Sequence, residues 1–150
     1  MTDAEARLEK YRSMRDFSVT AEPAGATTVP PATDGAPRYV VQRHRARRLH
    51  YDFRLEVNGV LASWAVPKGP SLDPARKALA VHVEDHPLDY FEFEGVIPKG
   101  EYGGGDVIVW DWGKWRLTKD DDLGAAIDAG ELHLELNGEK LRGHFMGAPR

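Results

Sequence analysis

The dipeptide Asn58-Gly59 constrains this chain more than any other two residues. It separates two runs of alternating polarity, His50 to Glu56 and Val60 to Val66. A tight turn between antiparallel strands needs positive φ at both central residues, and Asn-Gly supplies it with the least strain. The pattern therefore predicts a β-hairpin joined through Val57-Asn58-Gly59. Side chains alternate faces along a strand. In the first arm Tyr51, Phe53 and Leu55 share one face, and His50, Asp52, Arg54 and Glu56 share the other. In the second arm Leu61, Ser63 and Ala65 alternate with Ala62, Trp64 and Val66.

The polar face of the first arm presents His50, Asp52 and Arg54 in a row, about 7 Å apart at a rise of roughly 3.3 Å per residue. An imidazole beside a carboxylate suits a divalent metal of the manganese or zinc type. A guanidinium grips phosphate through two parallel hydrogen bonds. His44 precedes His50 across an Arg-rich connection and is a third candidate ligand that would swing in. The plain alternative is a solvated strand face with a salt bridge. Against it, Arg43, Arg45, Arg47, Arg48 and Arg54 concentrate positive charge here in a chain of formal net charge −4. A His-bearing strand from Leu79 to His86 offers a second source of ligands.

Elsewhere, Asp3 to Met14 carries Leu8 and Tyr11 at helical spacing, with Thr2 or Asp3 as cap. Residues 25 to 37 are rich in Pro, Ala, Thr and Gly, which reads as a loop or partly flexible connector. Tyr39 to Gln42 reads as a strand. Ala78 to Glu84 reads as another, with Leu79, Val81 and Val83 facing opposite to His82 and Glu84, and Asp85-His86-Pro87 breaking it. Tyr90 to Gly95 alternates Phe91 and Phe93 with Glu92 and Glu94, a further strand. The glycines of Gly100-Glu101-Tyr102-Gly103-Gly104-Gly105 precede a strand-like run, not a helix. A tight turn is therefore preferred to a phosphate-cradling loop. Trp110, Trp112 and Trp115 read as core packing, with base stacking as the alternative. Asp120 to Ala129 is a short helix ended by Gly130, and Asn137-Gly138 joins a second hairpin, Leu132–Leu136 with Lys140–Phe145. Many short strands and little helix predict a mainly β fold, a compact antiparallel β-barrel with a few short peripheral helices.

At 150 residues a single domain can bury a real core. We divide the chain into residues 1–37, an N-terminal helix and Pro-rich partly flexible segment, and 38–150, the barrel. No apolar run approaches 18 residues, and the N-terminus shows no basic-then-apolar leader, so neither a membrane span nor a secretory signal is expected. With no cysteine, disulfides and thiolate metal sites are excluded. A sequence pI of about 5.9 argues against global adhesion to nucleic acid but leaves room for a local basic groove.

The run Val40-Val41-Gln42-Arg43-His44, then Arg48-Leu49-His50-Tyr51-Asp52-Phe53-Arg54-Leu55-Glu56, then Ser63-Trp64-Ala65-Val66-Pro67-Lys68-Gly69-Pro70-Ser71 resembles the 3′-phosphoesterase domain of bacterial DNA ligase D. The likeness continues through Val83-Glu84-Asp85-His86-Pro87-Leu88-Asp89-Tyr90 and Phe93-Glu94-Gly95-Val96-Ile97-Pro98, and covers about Tyr11 to Phe145. The resemblance implies a β-barrel phosphoesterase, dependent on Mn2+ or another divalent transition metal. It would remove a 3′-terminal ribonucleoside from DNA and then the remaining 3′-phosphate, leaving a 3′-OH. It implies His44, His50 and Asp52 as metal ligands, and Arg54, His86 and Tyr90 at the scissile phosphate. Arg15, Asp16 and Glu22 would assist the diesterase step, with Lys68 and Arg76 as further substrate contacts.

Ala78 stands where the family often has a basic residue, with Arg76 and Lys77 as neighbours able to substitute. Implied partners are a primer–template with a 3′-ribonucleotide or 3′-phosphate, Ku, and the polymerase and ligase domains of DNA ligase D. The implied setting is a cytoplasmic, nucleoid-associated monomer without membrane contact. His82 is read as a supporting residue near the site, and His133 and His144 as structural or exposed. Two rivals are a non-catalytic DNA-end or protein-binding β-barrel and an OB-like single-strand binder.

Overall fold

Asn58 and Gly59 both adopt positive φ, 48° and 83°, and join β2 (Leu49–Val57) to β3 (Val60–Val66). The computed structural model describes residues 3–26, 28–70, 78–119 and 122–149. Its other strands are β1 (Arg38–Arg45), β4 (Ala78–Pro87), β5 (Gly95–Ile97), β6 (Gly105–Leu117), β7 (Leu132–Gly138) and β8 (Arg142–Pro149). The helices are α1 (Asp3–Arg7), α2 (Glu9–Ser13) and α3 (Leu123–Asp128), with a 3-10 turn at Leu88–Glu92. The strand order is β1-β2-β3-β4-β8-β7-β6-β5, and β1 also pairs with β6, which curls the sheet back on itself. Among the described residues all pairings are antiparallel except β4 with β8. This is the expected mainly β, barrel-like architecture with few short helices.

The two faces of the sheet serve different ends. Tyr39, Val41, Leu55, Trp64, Leu134 and Leu136 gather on the inner face, sealed by Leu123 and Ala126 of α3. Asp122 caps that helix through a hydrogen bond from Gly124 N–H at 3.0 Å. On the outer face of β1–β4 a smaller cluster forms from Tyr11, Leu61, Tyr90, Phe93, Ile97 and Val107. The N-terminal helices and the segment after β4 thus act as a cover over one side of the sheet.

Several local expectations change. The N-terminal helix divides at Leu8 into α1 and α2, and Asp3 lies inside α1, paired with Arg7 at 3.5 Å, while Thr2 lies outside the described residues. β1 runs on to Arg45, so His44 sits directly opposite His50 and needs no swinging connection. β4 is not broken at Asp85: it continues to Pro87 through a bulge, with Val83 opposite Ser63 and His86 opposite Leu61. Three steps on β4 match two on β3, and the extra residue re-aims the side chains. Beyond the bulge Glu84 and His86 are buried, whereas ahead of it Leu79 and Val81 are exposed and His82 stacks on Trp64 on the far side of the sheet, away from the site. The strand expected at Tyr90–Gly95 is a 3-10 turn followed by β5. There the Gln42 amide takes the carbonyls of Tyr90 and Phe93 at 3.0 and 3.1 Å, replacing ladder bonds. Trp64 and Trp115 are core residues, whereas Trp112 is half exposed. No helix among the described residues is long and apolar enough to cross a membrane.

One buried carboxylate ties the closure together. Asp111 of β6 accepts hydrogen bonds from Tyr39 Oη of β1 at 2.6 Å and from the N–H groups of Lys140 and Leu141 at 2.8 and 3.0 Å. Asp111→Ala removes the acceptor of three donors, leaving the buried Leu141 N–H unpaired and the Tyr39 hydroxyl with only the Leu141 carbonyl at 3.4 Å, and urea unfolding is expected to show a loss of about 3 kcal/mol.

Candidate active site

Buried charge is concentrated in one place. Glu22, His44, Asp52, Arg54, Glu84 and His86 are all buried, and all line a cavity of about 280 Å³ on the outer face of β1–β4. Cross-strand register explains the meeting. His44 faces His50 across β1 and β2, and Gln42 faces Asp52. Arg54 faces Ser63 on β3, which in turn faces Val83 on β4.

His44, His50 and Asp52 offer ligand atoms that all lie within 4.8 Å of one another. His44 Nε2 meets the Gly103 carbonyl at 2.6 Å, and His50 Nδ1 meets the Arg48 carbonyl at 3.3 Å. A carbonyl only accepts, so these partners assign a proton to the outer nitrogen of each ring. The inner nitrogens then direct lone pairs at Asp52: His44 Nδ1 to Oδ2 at 3.3 Å and His50 Nε2 to Oδ1 at 3.2 Å. Acceptors facing one another in a buried site call for a proton or a cation between them. Two imidazoles and a carboxylate, the rings oriented by backbone carbonyls, fit a divalent transition metal. Hydrogen bonding to Asp52 raises the affinity of His50 for a second proton. Burial pushes the Asp52 carboxyl up, but the Arg54 charge, joined by hydrogen bonds from His44 and His50 when those rings take a second proton, outweighs it and holds it well below the usual carboxylate range.

Beside this centre lies an anion position. Arg54 Nε is fixed by Gln42 Oε1 at 2.7 Å, and Nη2 lies 3.5 Å from Asp52. Its Nη1 is buried with no hydrogen-bond partner among the described residues. A buried guanidinium N–H without an acceptor is costly unless an incoming anion supplies one. Arg15 stands across the cavity, bound to Glu22 Oε2 at 2.9 Å, with Nη2 3.3 Å from His86 Nε2. Tyr90 Oη donates to the same Glu22 oxygen at 2.7 Å.

The structure brings together nine of the residues singled out in the sequence: Arg15, Glu22, His44, His50, Asp52, Arg54, His86 and Tyr90 line the cavity, with Glu84 from the matched run. Asp16 is exposed and accepts from Ser18 N–H and Oγ instead, and Lys68 is exposed in the turn after β3. Neither lines the cavity. Arg76 and Lys77 lie outside the described residues. Four contributors escaped the sequence reading. Gln42 clamps Arg54, Tyr102 donates to Glu84 Oε1 at 3.4 Å, and the Gly103 carbonyl orients His44. Tyr11 lies under the Arg15 guanidinium, 3.9 Å from ring centroid to carbon, and anchors Pro23 O at 2.6 Å. Only Gln42 had a signal, an amide at a buried strand position next to the metal-type residues.

The sequence matches the DNA Ligase D 3'-phosphoesterase domain family over residues 42–147. It is 58% identical over 138 residues, 92% of this chain, to the multifunctional non-homologous end joining protein LigD of Pseudomonas aeruginosa, covering 16% of that protein. It is 48% identical over 143 residues to the protein of the same name in Mycolicibacterium smegmatis, with 93% of this chain and 18% of that one covered. It is likewise 48% identical over 139 residues to the multifunctional non-homologous end joining DNA repair protein LigD of Mycobacterium tuberculosis, again 93% and 18%. The chain belongs to the DNA ligase D 3′-phosphoesterase domain family. It spans less than a fifth of the length of these relatives.

His86 gives this site a pH signature. Burial and the charges of Arg54 and Arg15 push its pKa well below the ordinary 6.5, so it folds neutral, with Nδ1–H donating to Glu84 O at 2.9 Å. Between the depressed value and 6.5 the unfolded chain binds the extra proton, so stability falls as pH drops below 6.5. Metal-free protein is expected to lose up to about 1.4 kcal/mol per pH unit between pH 6.5 and 5 from this residue. Thermal melts of His86→Asn should be flatter over that window; an identical pH profile would remove His86 as the cause.

Proposed function

We propose that this chain heals DNA 3′ ends in two hydrolytic steps: it removes a 3′-terminal ribonucleoside, leaving a 3′-phosphate, and then removes that phosphate to leave a 3′-OH. The observation that carries the reading is the unpartnered Nη1 of Arg54 beside the His44–His50–Asp52 centre. Both steps break a bond at the same phosphorus, first P–O5′ of the departing nucleoside and then P–O3′ of the strand. One centre with one anion position therefore serves both.

His44, His50 and Asp52 would hold the metal, Mn2+ by the family resemblance. Bound there, it supplies a positive charge beside a phosphoryl oxygen and offsets negative charge developing on it. Arg54 binds a non-bridging oxygen through its free N–H, and Arg15 adds charge from the opposite wall. His86 presents an Nε2 lone pair that now accepts from Arg15. A bound phosphate would counter the two guanidinium charges that depress His86, favouring a protonated ring able to deliver that proton to the leaving oxygen. The Tyr90 hydroxyl proton is engaged by Glu22, so contact with substrate requires it to turn from that carboxylate. Asp16, Lys68 and Arg76 are proposed to meet the nucleic acid outside the cavity.

The relatives are named for non-homologous end joining. By extension we propose a primer–template end as substrate, with Ku and the polymerase and ligase domains of DNA ligase D as partners of a cytoplasmic, nucleoid-associated monomer.

The test is a 5′-labelled primer–template ending in one ribonucleotide, incubated with metal-stripped protein with and without Mn2+. Shortening to a 3′-phosphate and then a 3′-OH is expected only with metal. His50→Ala should lose both reactions by at least about a hundredfold, as removal of a principal electrostatic element does, and bind Mn2+ more weakly in calorimetry. Turnover by His50→Ala at the parental rate would dismiss the assigned centre, whereas end binding without turnover in the parent protein would make the chain a binding module. Glu22→Ala is expected to harm ribonucleoside removal more than phosphate removal; equal loss would show that Glu22 acts only by holding Arg15 and Tyr90.

A further inference from the structure

The turn between β1 and β2 overhangs the rim of the cavity. Arg45 and Leu49 pair across the two strand ends, one step beyond His44 and His50, and Ala46 lines the cavity itself. Arg45, Arg47, Arg48 and Leu49 are all exposed. Their charges are placed unlike those of most other described arginines, Arg142 being the exception with a carbonyl partner only. Arg7, Arg12, Arg15, Arg38, Arg54 and Arg116 each stand within 4 Å of a carboxylate. Arg43, Arg45, Arg47 and Arg48 form no ion pair among the described residues, although acidic residues outnumber basic ones 24 to 20 in the chain. Asp106 lies opposite Arg45 in the register and still makes no ion pair with it. The backbone is pinned here: a side chain at Gly105 would place Cβ 2.0 Å from Arg45 O, so the turn is held close against β6.

Unpaired guanidinium groups on a fixed rim attract a polyanion, and the chemistry of the turn selects which kind. Sheets that bind single strands stack bases on aromatic rings. The turn offers Arg, Ala, Arg, Arg and Leu, with no ring, and the exposed ring that lines the cavity, Tyr102, comes from the segment before β6. The turn therefore addresses phosphates rather than bases, which suits the regular backbone of a duplex. We propose that Arg45, Arg47 and Arg48 contact the phosphate backbone of the double-stranded DNA behind a 3′ end seated in the cavity. This rests on the DNA-end reading above.

The measurement is binding rather than turnover. Fluorescence anisotropy compares a labelled duplex hairpin and a single strand of equal length, each ending in a 3′-phosphate, over a range of salt concentrations. The parent protein is expected to bind the duplex more tightly. Loss of two phosphate contacts in Arg47→Ala/Arg48→Ala should make the slope of log K against log salt shallower by about 2 and weaken duplex binding about tenfold, with less effect on the single strand. Arg47→Lys/Arg48→Lys keeps the charge and should restore the slope, which separates a charge effect from misfolding. An unchanged slope in the alanine variant, or equal losses on duplex and single strand, would overturn the rim assignment alone. A parent protein that binds neither DNA and releases no 3′-phosphate would overturn the DNA-end reading and the rim with it.

Discussion

Asp52 and Arg54, two residues apart on one strand, are buried together on the outer face of the sheet. A carboxylate or guanidinium removed from water is strongly disfavoured unless partners surround it. Much of the surrounding structure can be understood as supplying them. β1 brings Gln42 to the Arg54 Nε and His44 to the Asp52 carboxylate. The bulge in β4 turns His86 and Glu84 inward. The N-terminal segment adds Arg15 and Glu22, themselves a buried ion pair. Among the described residues this network leaves open one Arg54 N–H, one Glu84 oxygen, and the inner lone pairs of two imidazoles facing a carboxylate. Those openings suit an anion and a cation side by side, the pairing that the proposed metal-assisted phosphoryl reaction would require.

The strongest parts of this were legible in the sequence because they are local. Asn58-Gly59 fixes a two-residue turn, and the turn fixes which of Tyr51, Asp52, Phe53 and Arg54 face the core. His44 does stand beside His50 and Asp52, but by register and not by a swinging connection, since a strand end at Gln42 hides that Arg43, His44 and Arg45 continue the ladder beside β2. The parts that were not legible depend on non-local geometry. A single bulge after Val83 brings Glu84 to the cavity beside it, against the simple alternation that set the two on opposite faces, and no composition signal marks it. The alternation of Phe91 and Phe93 resembled a strand, but Gln42, nearly fifty residues away, holds that segment in a turn by its carbonyls. Tyr11 reads as an ordinary helix residue until Arg15 and His86 are seen packed on it.

The division between faces also accounts for where tolerance and constraint fall. The inner face is an apolar core in which Trp64, Leu55 and Leu134 contribute by burial, a non-directional effect that accepts many substitutions of similar volume. On the outer face, hydrogen-bond geometry sets the positions, and each group holds another. Gln42 illustrates the difference. Its amide oxygen fixes Arg54 while its nitrogen fixes the turn that carries Tyr90. A leucine there would fill much the same volume and orphan both, leaving the barrel folded around a site whose guanidinium and phenol are free to drift.

The cover over this face comes from parts of the chain far apart in sequence, residues 9–23 and 84–103, and both reach the same carboxylate. Glu22 receives Arg15 from its own segment and Tyr90 from the other. Tyr11, Tyr90 and His86 pack edge to face between them. Because Glu22 joins both halves of the cover, a change in its charge or in the hydroxyl of Tyr90 acts on the Arg15 wall and the His86 wall at once. In the proposed reaction a substrate phosphate would compete for the same donors, Arg15 and Tyr90, that Glu22 now satisfies. Binding would then exchange an internal carboxylate for an external phosphate on those donors, and the cover would yield slightly as the exchange occurs.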